Sequence, residues 1–535
     1  MKFSKYFMLA GAAAMLTACS SEEPFVPNGA MTEEIANADT YALISLAMPE
    51  ANGTRAAESV TSGVESEYKV ANGTLLLWKK GATEADAEFV TSVDFTGAWN
   101  NSDALDITRE ATIQLGFAKG TFESTESYAG MVVLNYDKST YPMPKKGDKF
   151  GTWKVTNNTA NFTYVANGLT YLTMTSSPQY VEDDNTTFVL VDIPHTSVKT
   201  SYEELSSDDV IDGFYVHRNA AKISVTADGK GNHVYDLAGA YAGATVTVNG
   251  WAADVKAIAS FPVQNHDGLT IKAGWLSNDT KFPSFKRVHW GKSAFYGETY
   301  DADNYSLINN VNSFPSYEYV KENTLKYDEQ VYNRTTRVVL KAKYSDGTNT
   351  GSFLKVGNTT TLLSVANFVT EVNTKLSALN IDATAKANAV NTAGYKSLKD
   401  MVKIEDENGD EVENTKYAAV ALQLGLASEV AKELAYYVDG NCYYAVRIRH
   451  FDDQQAPLGK TIETADDYDE VHEGRYGVLR NNWYEVTVGS ISKIGAPSIP
   501  EVDNTPDDAE TDEADALSVS IKMLNWAKRS QNVNL

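Results

Sequence analysis

Two histidine-containing stretches have residue types that could support acid–base catalysis or metal binding. His289 precedes Trp290, and His450 is followed by Asp452 and Asp453. Neither stretch has the i, i+4 or Cys-x-x-Cys spacing that gathers ligands around one metal ion. Seven histidines scattered over 535 residues are more typical of structural roles. We therefore predict no catalytic residue and no metal site at these histidines.

An acidic stretch at residues 405–411 (EDENGDE) superficially resembles a calcium-binding loop. With Asp406 as position 1, Glu411 takes the place of the required glycine and Tyr417 that of the required glutamate. The stretch is more typical of an acidic turn. The sequence has no nucleophile elbow, phosphate loop or dinucleotide fingerprint, so we predict no cofactor and no enzyme activity. A glycosidase with paired carboxylates is a weaker alternative, because acidic residues occur throughout the chain.

Composition indicates an acidic, mainly β protein of two or three domains. The chain has 71 acidic and 46 basic residues, a net charge of −25, which disfavours nucleic acid or anionic lipid as a partner. Hydrophobic residues make up 43% of the sequence, enough for packed cores. Short alternating runs rich in tyrosine, threonine and valine favour strands.

The first 19 residues are typical of an export signal. Lys2 and Lys5 precede an apolar run that is too short to span a membrane, and Cys19 follows small residues. The ending Leu-Thr-Ala-Cys resembles a bacterial lipobox, which predicts that Cys19 becomes an acylated, palmitate-bearing first residue anchored in the outer membrane. An ordinary signal peptide with a coincidental cysteine is the alternative. Residues 20–23 (SSEE), which end in two glutamates, resemble the acidic surface-export signal of Bacteroidetes lipoproteins. Removal of the signal leaves Cys442 without an intrachain disulfide partner.

A strand is predicted at residues 41–49, followed by a loop that a protease could cut. Alternation places four apolar residues on one face of this leader strand, which ends at Pro49: Ala42, Ile44, Leu46 and Met48. The small, polar loop at residues 51–57 contains Arg55, the first basic residue after Lys5. Exposed loops of this composition are common cleavage sites. Cleavage between Arg55 and Ala56 would separate the strand and the lipid anchor from the rest, although a plain surface arginine fits equally well.

Short strand-like runs separated by turn signals fill the region from Glu67 to about Arg218, as expected for a β-sandwich. Strand-like runs continue after this region as far as residue 491. A helical insert interrupts them, because two sets of apolar residues recur at three- and four-residue spacing: Leu362, Val365, Ala366, Val369, Val372 and Leu376, and then Leu426, Val430, Leu434 and Ala435. The insert is interpreted as packing scaffold, with a partner-binding amphipathic helix as the alternative.

The last residues form an apolar strand on a charged tether. Four apolar residues alternate with polar ones: Leu517, Val519, Ile521 and Met523. Residues 497–515 before them hold eight acidic residues, three prolines and no basic residue, so this linker stays solvated. We predict that the strand completes a sheet in another subunit rather than in its own domain. The alternative is a final strand that folds back onto its own chain.

Seven phrases spread over about 300 residues resemble the fimbrillins of Bacteroidales, the FimA- and Mfa-type fimbrial subunits. They are residues 218–225 (RNAAKISV), 248–251 (VNGW), 287–290 (RVHW), 317–324 (YEYVKENT), 443–450 (YYAVRIRH), 476–484 (YGVLRNNWY) and 491–497 (ISKIGAP). The tail resembles fimbrillin ends at residues 524–526 (LNW), which include Trp526, and at residues 531–535 (QNVNL). The lipobox and the terminal strand bracket these phrases in the expected order.

The resemblance implies two transthyretin-like, Greek-key β-sandwich domains with a helical insert in the second. It implies that the leader strand fills a groove in the first domain until an Arg-specific protease cuts after Arg55. The C-terminal strand of the next subunit, including Trp526, then replaces it. The expected divisions are a signal peptide (1–19), a propeptide (20–55), the first sandwich (56–218), the second sandwich (219–500) and the tether with its donor strand (501–535).

The sequence therefore predicts a structural protein, not an enzyme. The leading interpretation is an adhesive fimbrial subunit that starts as a surface lipoprotein of the outer membrane and ends in a head-to-tail polymer of identical or related subunits. The sequence identifies no adhesion receptor on host or bacterial surfaces. The alternative is a monomeric surface lipoprotein that binds glycans through exposed tyrosine and tryptophan side chains.

Overall fold

A computed structural model describes residues 37–47, 67, 69–95, 100–101, 109–157, 161–166, 168–181, 186–269, 290–348, 351–451, 468–502 and 517–525. Strands dominate these residues, as the alternating sequence patterns predict. In the first half of the chain the strands are β1 (Thr40–Ala47), β2 (Gly73–Lys79), β3 (Glu88–Phe95), β4 (Asn100–Asn101), β5 (Arg109–Phe117), β6 (Tyr128–Leu134), β7 (Thr163–Ala166), β8 (Leu169–Leu172), β9 (Met174–Ser176), β10 (Gln179–Val181), β11 (Thr186–Phe188), β12 (Val191–Ile193) and β13 (Val210–Arg218).

The second half continues with further strands over the described residues. They are β14 (Ala221–Thr226), β15 (Val234–Asp236), β16 (Thr245–Asp254), β17 (Lys256–Ala257), β18 (Tyr305–Ser306), β19 (Glu318–Val320), β20 (Asn323–Thr324), β21 (Arg337–Ser345), β22 (Phe353–Val356), β23 (Leu362–Ser364), β24 (Thr384–Ala387), β25 (Gly394–Lys396), β26 (Val402–Glu405), β27 (Leu434–Tyr437), β28 (Asn441–Arg447), β29 (Gly477–Val478), β30 (Asn482–Ile491) and β31 (Leu517–Asn525). The α-helices are α1 (Phe150–Thr156), α2 (Val365–Ala378), α3 (Leu398–Met401) and α4 (Asn414–Gln423).

Nine strands of the first half form one continuous set, while β7–β8 and β10–β11 form separate pairs. The order of the continuous set is β3-β2-β6-β9-β13-β1-β5-β4, and β12 also pairs with β6. Inward residues from β2 and β6 share one core with residues from β1, β5 and β13, so the strands enclose a core as in a β-sandwich. Alternating strands supply this core because every second side chain points inward.

The second half places two four-stranded sheets around another core. One sheet has the order β19-β14-β30-β31 and the other β15-β16-β21-β28. Side chains from both sheets meet in one hydrophobic cluster that includes Ile223, Trp251, Leu340 and Tyr484. This arrangement confirms the predicted mainly β class with sandwich domains, while the Greek-key strand order stays a prediction.

The helical insert has a core of its own, but one of its two predicted helices is misplaced. Helix α2 covers the first apolar pattern from Val365 onward and buries Phe368, Val372 and Leu376, whereas Leu362, the first residue of that pattern, begins β23. The second pattern, residues 426–435, is not a helix: Leu434 and Ala435 begin β27, and α4 ends at Gln423 before the pattern starts. Strand β27 lies between β22 and β25, and this pairing overrides the helical spacing. No helix among the described residues is long and apolar enough to cross a membrane.

Candidate functional site

The leader strand occupies an interior position although it lies near the start of the chain. Strand β1 is antiparallel to β5, with Thr40 opposite Phe117 and Ala47 opposite Glu110. On its other side it is parallel to β13, from Leu43 opposite Val210 to Ala47 opposite Tyr215, with one irregularity. We call the space between β5 and β13 the slot. Because β1 is its occupant, removing β1 would leave two strands with unpaired backbone groups.

Apolar side chains fix β1 in the slot. Ala42, Ile44 and Leu46 are at most 1% exposed and belong to the core of the first half, as the alternation predicted. Leu43 is also fully buried, although alternation directs it to the opposite face. The sequence did not identify Leu43, because a period-2 pattern assigns it to the outer side. Met48, the fourth predicted residue, lies outside the described residues.

Residues near the start of β1 make further backbone hydrogen bonds besides those of its ladders with β5 and β13. The amide of Tyr41 donates to the carbonyl of Lys199, and the amide of Lys199 donates back to that of Tyr41, both at 2.8 Å. The ring of Tyr41 contacts Tyr202 edge-on, and the amide of Asp39 donates to the Phe117 carbonyl. Strand β1 is therefore held by contacts at its first residues as well as by strand pairing along its length.

A buried anchor holds the chain where the described residues resume after β1. The Glu67 carboxylate accepts from Lys222 Nζ and the Tyr319 hydroxyl, each at 2.6 Å, and Arg218 Nε donates to its carbonyl at 2.6 Å. Glu67 is 0% exposed. Desolvation lowers the pKa of Lys222, and the adjacent Glu67 carboxylate opposes that shift. No sequence signal marked Glu67, since an isolated glutamate is usually exposed.

Of the predicted processing residues, Arg55 and Ala56 lie between β1 and Glu67 in the sequence, and Cys19 precedes β1. Cys19, Arg55 and Ala56 lie outside the described residues. Residues 48–66 therefore connect a strand that fills a slot to a residue fixed by buried charges. Cleavage within this connection would separate β1 from the anchored chain without cutting any described strand.

In this single chain the C-terminal strand pairs within its own domain, and the prediction that it completes a sheet in another subunit stays a prediction. Strand β31 is antiparallel to β30, with Leu517 opposite Ile491 and Asn525 opposite Asn482. It pairs along its whole length with only a short irregularity, because the edge of β30 offers a complete row of backbone partners. The fold-back alternative is therefore the arrangement in this structure. The predicted donor residues Leu517, Val519, Ile521 and Met523 lie on this strand, and Trp526 lies just beyond the described residues.

β31 and β1 differ in how many neighbours they pair with. Strand β31 ends its sheet and pairs only with β30 among the described strands, whereas β1 has partners on both sides. The slot and the sheet that contains β31 are connected by a short stretch of chain. Strand β13, one wall of the slot, continues after two residues into β14, and β14 is parallel to β30.

A buried arginine fixes the junction between β13 and β14. Arg480 donates to Glu322 Oε2 at 2.9 Å, to Asn219 Oδ1 at 3.1 Å and to the Phe261 carbonyl at 3.1 Å. Asn219 also accepts from the Thr175 hydroxyl on β9. Side chains of both halves therefore meet at Asn219. The phrase around Arg480 carried part of the family resemblance, but its sequence gave no sign of this contact.

The residues first considered for chemistry have structural surroundings where they are described. His450 is buried, and its Nδ1 lies 2.6 Å from the Tyr484 hydroxyl. Asp406 caps a turn by accepting from the amides of Asn408 and Asp410. His289 lies outside the described residues. Within the described ranges no group of three or more histidine, cysteine, aspartate or glutamate side chains is placed to hold a metal ion.

Comparison with known proteins gives one family match, at the C-terminal end. Residues 435–532 match the family described as "Major fimbrial subunit protein type IV, Fimbrillin, C-terminal". No curated protein sequence matches the chain. Strands β28 to β31 lie within the matched region, so the family covers both the C-terminal strand and the strand on which it lies.

Three solved structures show weak similarity. A putative cell adhesion protein from Parabacteroides distasonis is 11% identical, with 92% of this chain and 99% of that chain covered and a TM-score of 0.38. The C-terminally truncated tip fimbrial protein Mfa3 from Porphyromonas gingivalis is 10% identical, with 90% and 99% covered and a TM-score of 0.28. A fimbrial assembly protein from Parabacteroides distasonis is 12% identical, with 56% and 95% covered and a TM-score of 0.20.

Such low TM-scores do not establish a common fold, so the assignment rests on the family match and the sequence phrases. The match covers the last three of the seven resembling phrases completely. Residues 435–532 are therefore similar to the C-terminal region of the fimbrillins, a family of fimbrial subunit proteins.

Proposed function

We propose that this protein is a fimbrial subunit that polymerises by exchanging one strand for another in the slot. Its leader strand β1 fills the slot until the chain is cut after Arg55. Strand β31 of the next subunit then takes the vacated place. The observation that carries the proposal is the interior position of β1 between β5 and β13, at the end of a connection that contains the predicted cleavage site.

The empty slot would bind a replacement strand strongly. Loss of β1 uncovers the backbone of β5 and β13 and the sites of Leu43, Ile44 and Leu46. Burying each aliphatic side chain contributes about 1.5–3 kcal/mol, and each ladder hydrogen bond about 1 kcal/mol net. Together these terms exceed the lower estimates of the entropic cost of association.

The position of β31 is compatible with exchange. In its own domain this strand has one described neighbour, and in the slot of another subunit it would have two. The second ladder and a fully enclosed apolar face favour the slot over the edge. While β1 remains in place, the slot has no room for β31, so the uncleaved subunit stays monomeric.

This exchange produces a fibre because the two contacting surfaces differ. The slot lies in the first half of the chain and the donor strand at the opposite end, so each contact is head-to-tail and leaves one slot and one strand free. The acidic linker of residues 497–515 provides reach between subunits. Adhesion would then be a property of the fibre.

Export and processing complete the proposal. Acylated Cys19 would hold the precursor in the outer membrane at the cell surface until an Arg-specific protease cuts after Arg55. The anchor and the leader strand leave together because both precede Arg55. Glu67 keeps the new chain start attached to the domain through its contacts with Lys222 and Tyr319.

Substitution of Arg55 tests the processing step. Wild-type protein treated with an Arg-specific protease should lose residues up to Arg55 and form filaments visible by electron microscopy. Arg55→Ala should keep its leader, as shown by N-terminal sequencing, and stay monomeric. Arg55→Lys is the matched control: it should resist the Arg-specific protease but assemble after mild trypsin treatment. Filaments formed by Arg55→Ala with its leader intact would refute the proposal.

A further inference from the structure

Each half of the chain extends a segment into the other half. We call these segments the first arm, residues 67 and 69–72 before β2, and the second arm, residues 259–267 after β17. The first arm is fixed to the first half, because the Asn135 side chain donates to the Lys69 carbonyl at 2.8 Å and accepts from the Ala71 amide at 2.7 Å. Asn135 directly follows β6.

Glu67, at the start of the first arm, is buried against the second half. Its carboxylate accepts from Lys222 on β14 and from Tyr319 on β19. The Lys222 ammonium group also lies 4.0 Å from the ring centre of Trp483 on β30 and 4.5 Å from that of Tyr317. Lys222 is 2% exposed, so withdrawing Glu67 would take a carboxylate away from a buried ammonium group, which is costly.

The second arm completes a hydrophobic core in the first half. Val263 is 0% exposed, and among the described members of its cluster it alone comes from the second half. The cluster includes Trp78 on β2 and Trp153 on α1. At the end of the arm, Asp267 Oδ1 accepts from Lys154 Nζ on α1 at 2.9 Å. Withdrawing this arm would therefore open a cavity beside aromatic rings and break an ion pair.

One arginine joins the second arm to the connection between the halves. Arg480 donates to the Phe261 carbonyl at 3.1 Å and to the Ser260 hydroxyl at 3.2 Å, in addition to Asn219. Asn219, which lies between β13 and β14, itself donates to the Pro262 carbonyl at 2.8 Å. The connection is therefore bound to the second arm through buried hydrogen bonds.

We propose that the two halves fold and unfold as one cooperative unit and do not hinge about the connection between β13 and β14. Relative motion is the usual expectation for two halves that share a modest interface. Here a rotation about the connection would withdraw Glu67 from Lys222 or Val263 from the core around Trp78. This inference does not rest on the proposed function. In a fibre, tension between the slot and β31 would be carried by both arms as well as by the connection.

Hydrogen exchange in increasing urea, read by mass spectrometry, follows each half of the full chain separately. Peptides from β2 and β6 report on the first half, and peptides from β16 and β21 report on the second. If the halves form one unit, both sets of wild-type peptides should lose protection at the same urea concentration. Two separate midpoints would overturn the inference.

Val263→Ala and Glu67→Gln test the two arms. Each should lower the midpoints of both halves equally, by about 0.5–1 M urea. Val263→Ala leaves a cavity in the first half, and Glu67→Gln removes the charge of the carboxylate beside Lys222 in the second. In two independent halves, each substitution would lower only the midpoint of the half that surrounds its side chain. Such a one-sided shift, or no shift in either half, would overturn the inference.

Val165→Ala and Glu123→Gln are the matched controls. Val165 is 68% exposed on β7, and Glu123 is exposed in the loop between β5 and β6. Both substitutions should leave both midpoints unchanged, because neither side chain lies in an arm or in a core. The wild-type comparison needs no substitution, so it decides the question even for a variant that does not fold.

Discussion

At the scale of single residues, the junction between the two halves depends on a buried ion pair. Arg480 and Glu322 are at most 2% exposed, and Arg480 also donates to Asn219 Oδ1 and to the Phe261 carbonyl. A charge in such a position is tolerated only while its partner is present. The pair therefore fixes the geometry by which β13 continues into β14.

Removing one partner should destabilise the subunit strongly. We expect Glu322→Ala to lower the free energy of unfolding by about 3–5 kcal/mol, because Arg480 keeps its charge without a carboxylate. Urea unfolding followed by tryptophan fluorescence measures the change. Glu485→Ala, on the partly exposed face of β30, is the control and should change stability by less than about 1 kcal/mol. Equal effects of the two substitutions would contradict the role of the pair.

Cys442, the cysteine in the described part of the chain, should be chemically inert in the folded protein. Burial raises the pKa of the Cys442 thiol to about 11. Because the reactive thiolate forms only near or above that pH, iodoacetamide at pH 8 should not label Cys442 in the native subunit. Labelling should become complete in denaturant, as mass spectrometry would show. Rapid labelling of the native protein at pH 8 would contradict the buried environment.

Residue patterns predicted part of the site. Alternation identified Ala42, Ile44 and Leu46, because one buried face of a strand leaves a period-2 signal. It missed Leu43, since burial on the second face depends on what packs there and not on the strand itself. Glu67 and Arg480 were missed for a similar reason: their partners are more than 100 residues distant in the chain.

At the scale of elements, the leader strand is held by packing that a single substitution can weaken. We expect Ile44→Ala to reduce the stability of β1 in the slot by about 2–4 kcal/mol, because the substitution leaves a cavity in a closed core. After cleavage, the leader should therefore dissociate faster and assembly should start sooner. Light scattering after a pulse of protease measures the lag.

Ser45→Ala is the matched control for this prediction. Ser45 lies next to Ile44 on the partly exposed face, so its substitution should leave the lag unchanged. A lag that does not shorten in Ile44→Ala would mean that release of β1 does not limit assembly.

One element differs from the sequence-based expectation, and another has a pairing within its own chain that the sequence did not specify. The apolar spacing of residues 426–435 predicted a helix, but Leu434 and Ala435 are buried by strand pairing in the insert. Strand β31, which was expected to pair in another subunit, pairs with the edge of β30 in this single chain, and its exchange stays a prediction. A local sequence pattern indicates which side chains favour burial. It does not indicate which strand edge in the folded chain is free to pair.

At the scale of the whole molecule, charge should control the rate at which subunits meet. The chain carries a net charge of −25, so subunits repel one another at low ionic strength. The screening length falls from about 30 Å at 0.01 M salt to about 8 Å at 0.15 M. We expect assembly of previously cleaved subunits to accelerate several-fold over this range.

The measurement is the growth rate by light scattering, with cleavage completed at one fixed salt concentration so that protease activity does not vary. Slower assembly at higher salt would show that attraction between charged surfaces, rather than burial of the strand, drives the contact.

The central claim is that the slot of one subunit accepts the C-terminal strand of another once its own leader has been removed. The most direct measurement is electron microscopy of protease-treated protein with and without residues 517–535. The intact protein should form filaments, and the truncated protein, cleaved to the same extent, should remain as separate subunits. Filaments formed by the truncated protein would contradict the account.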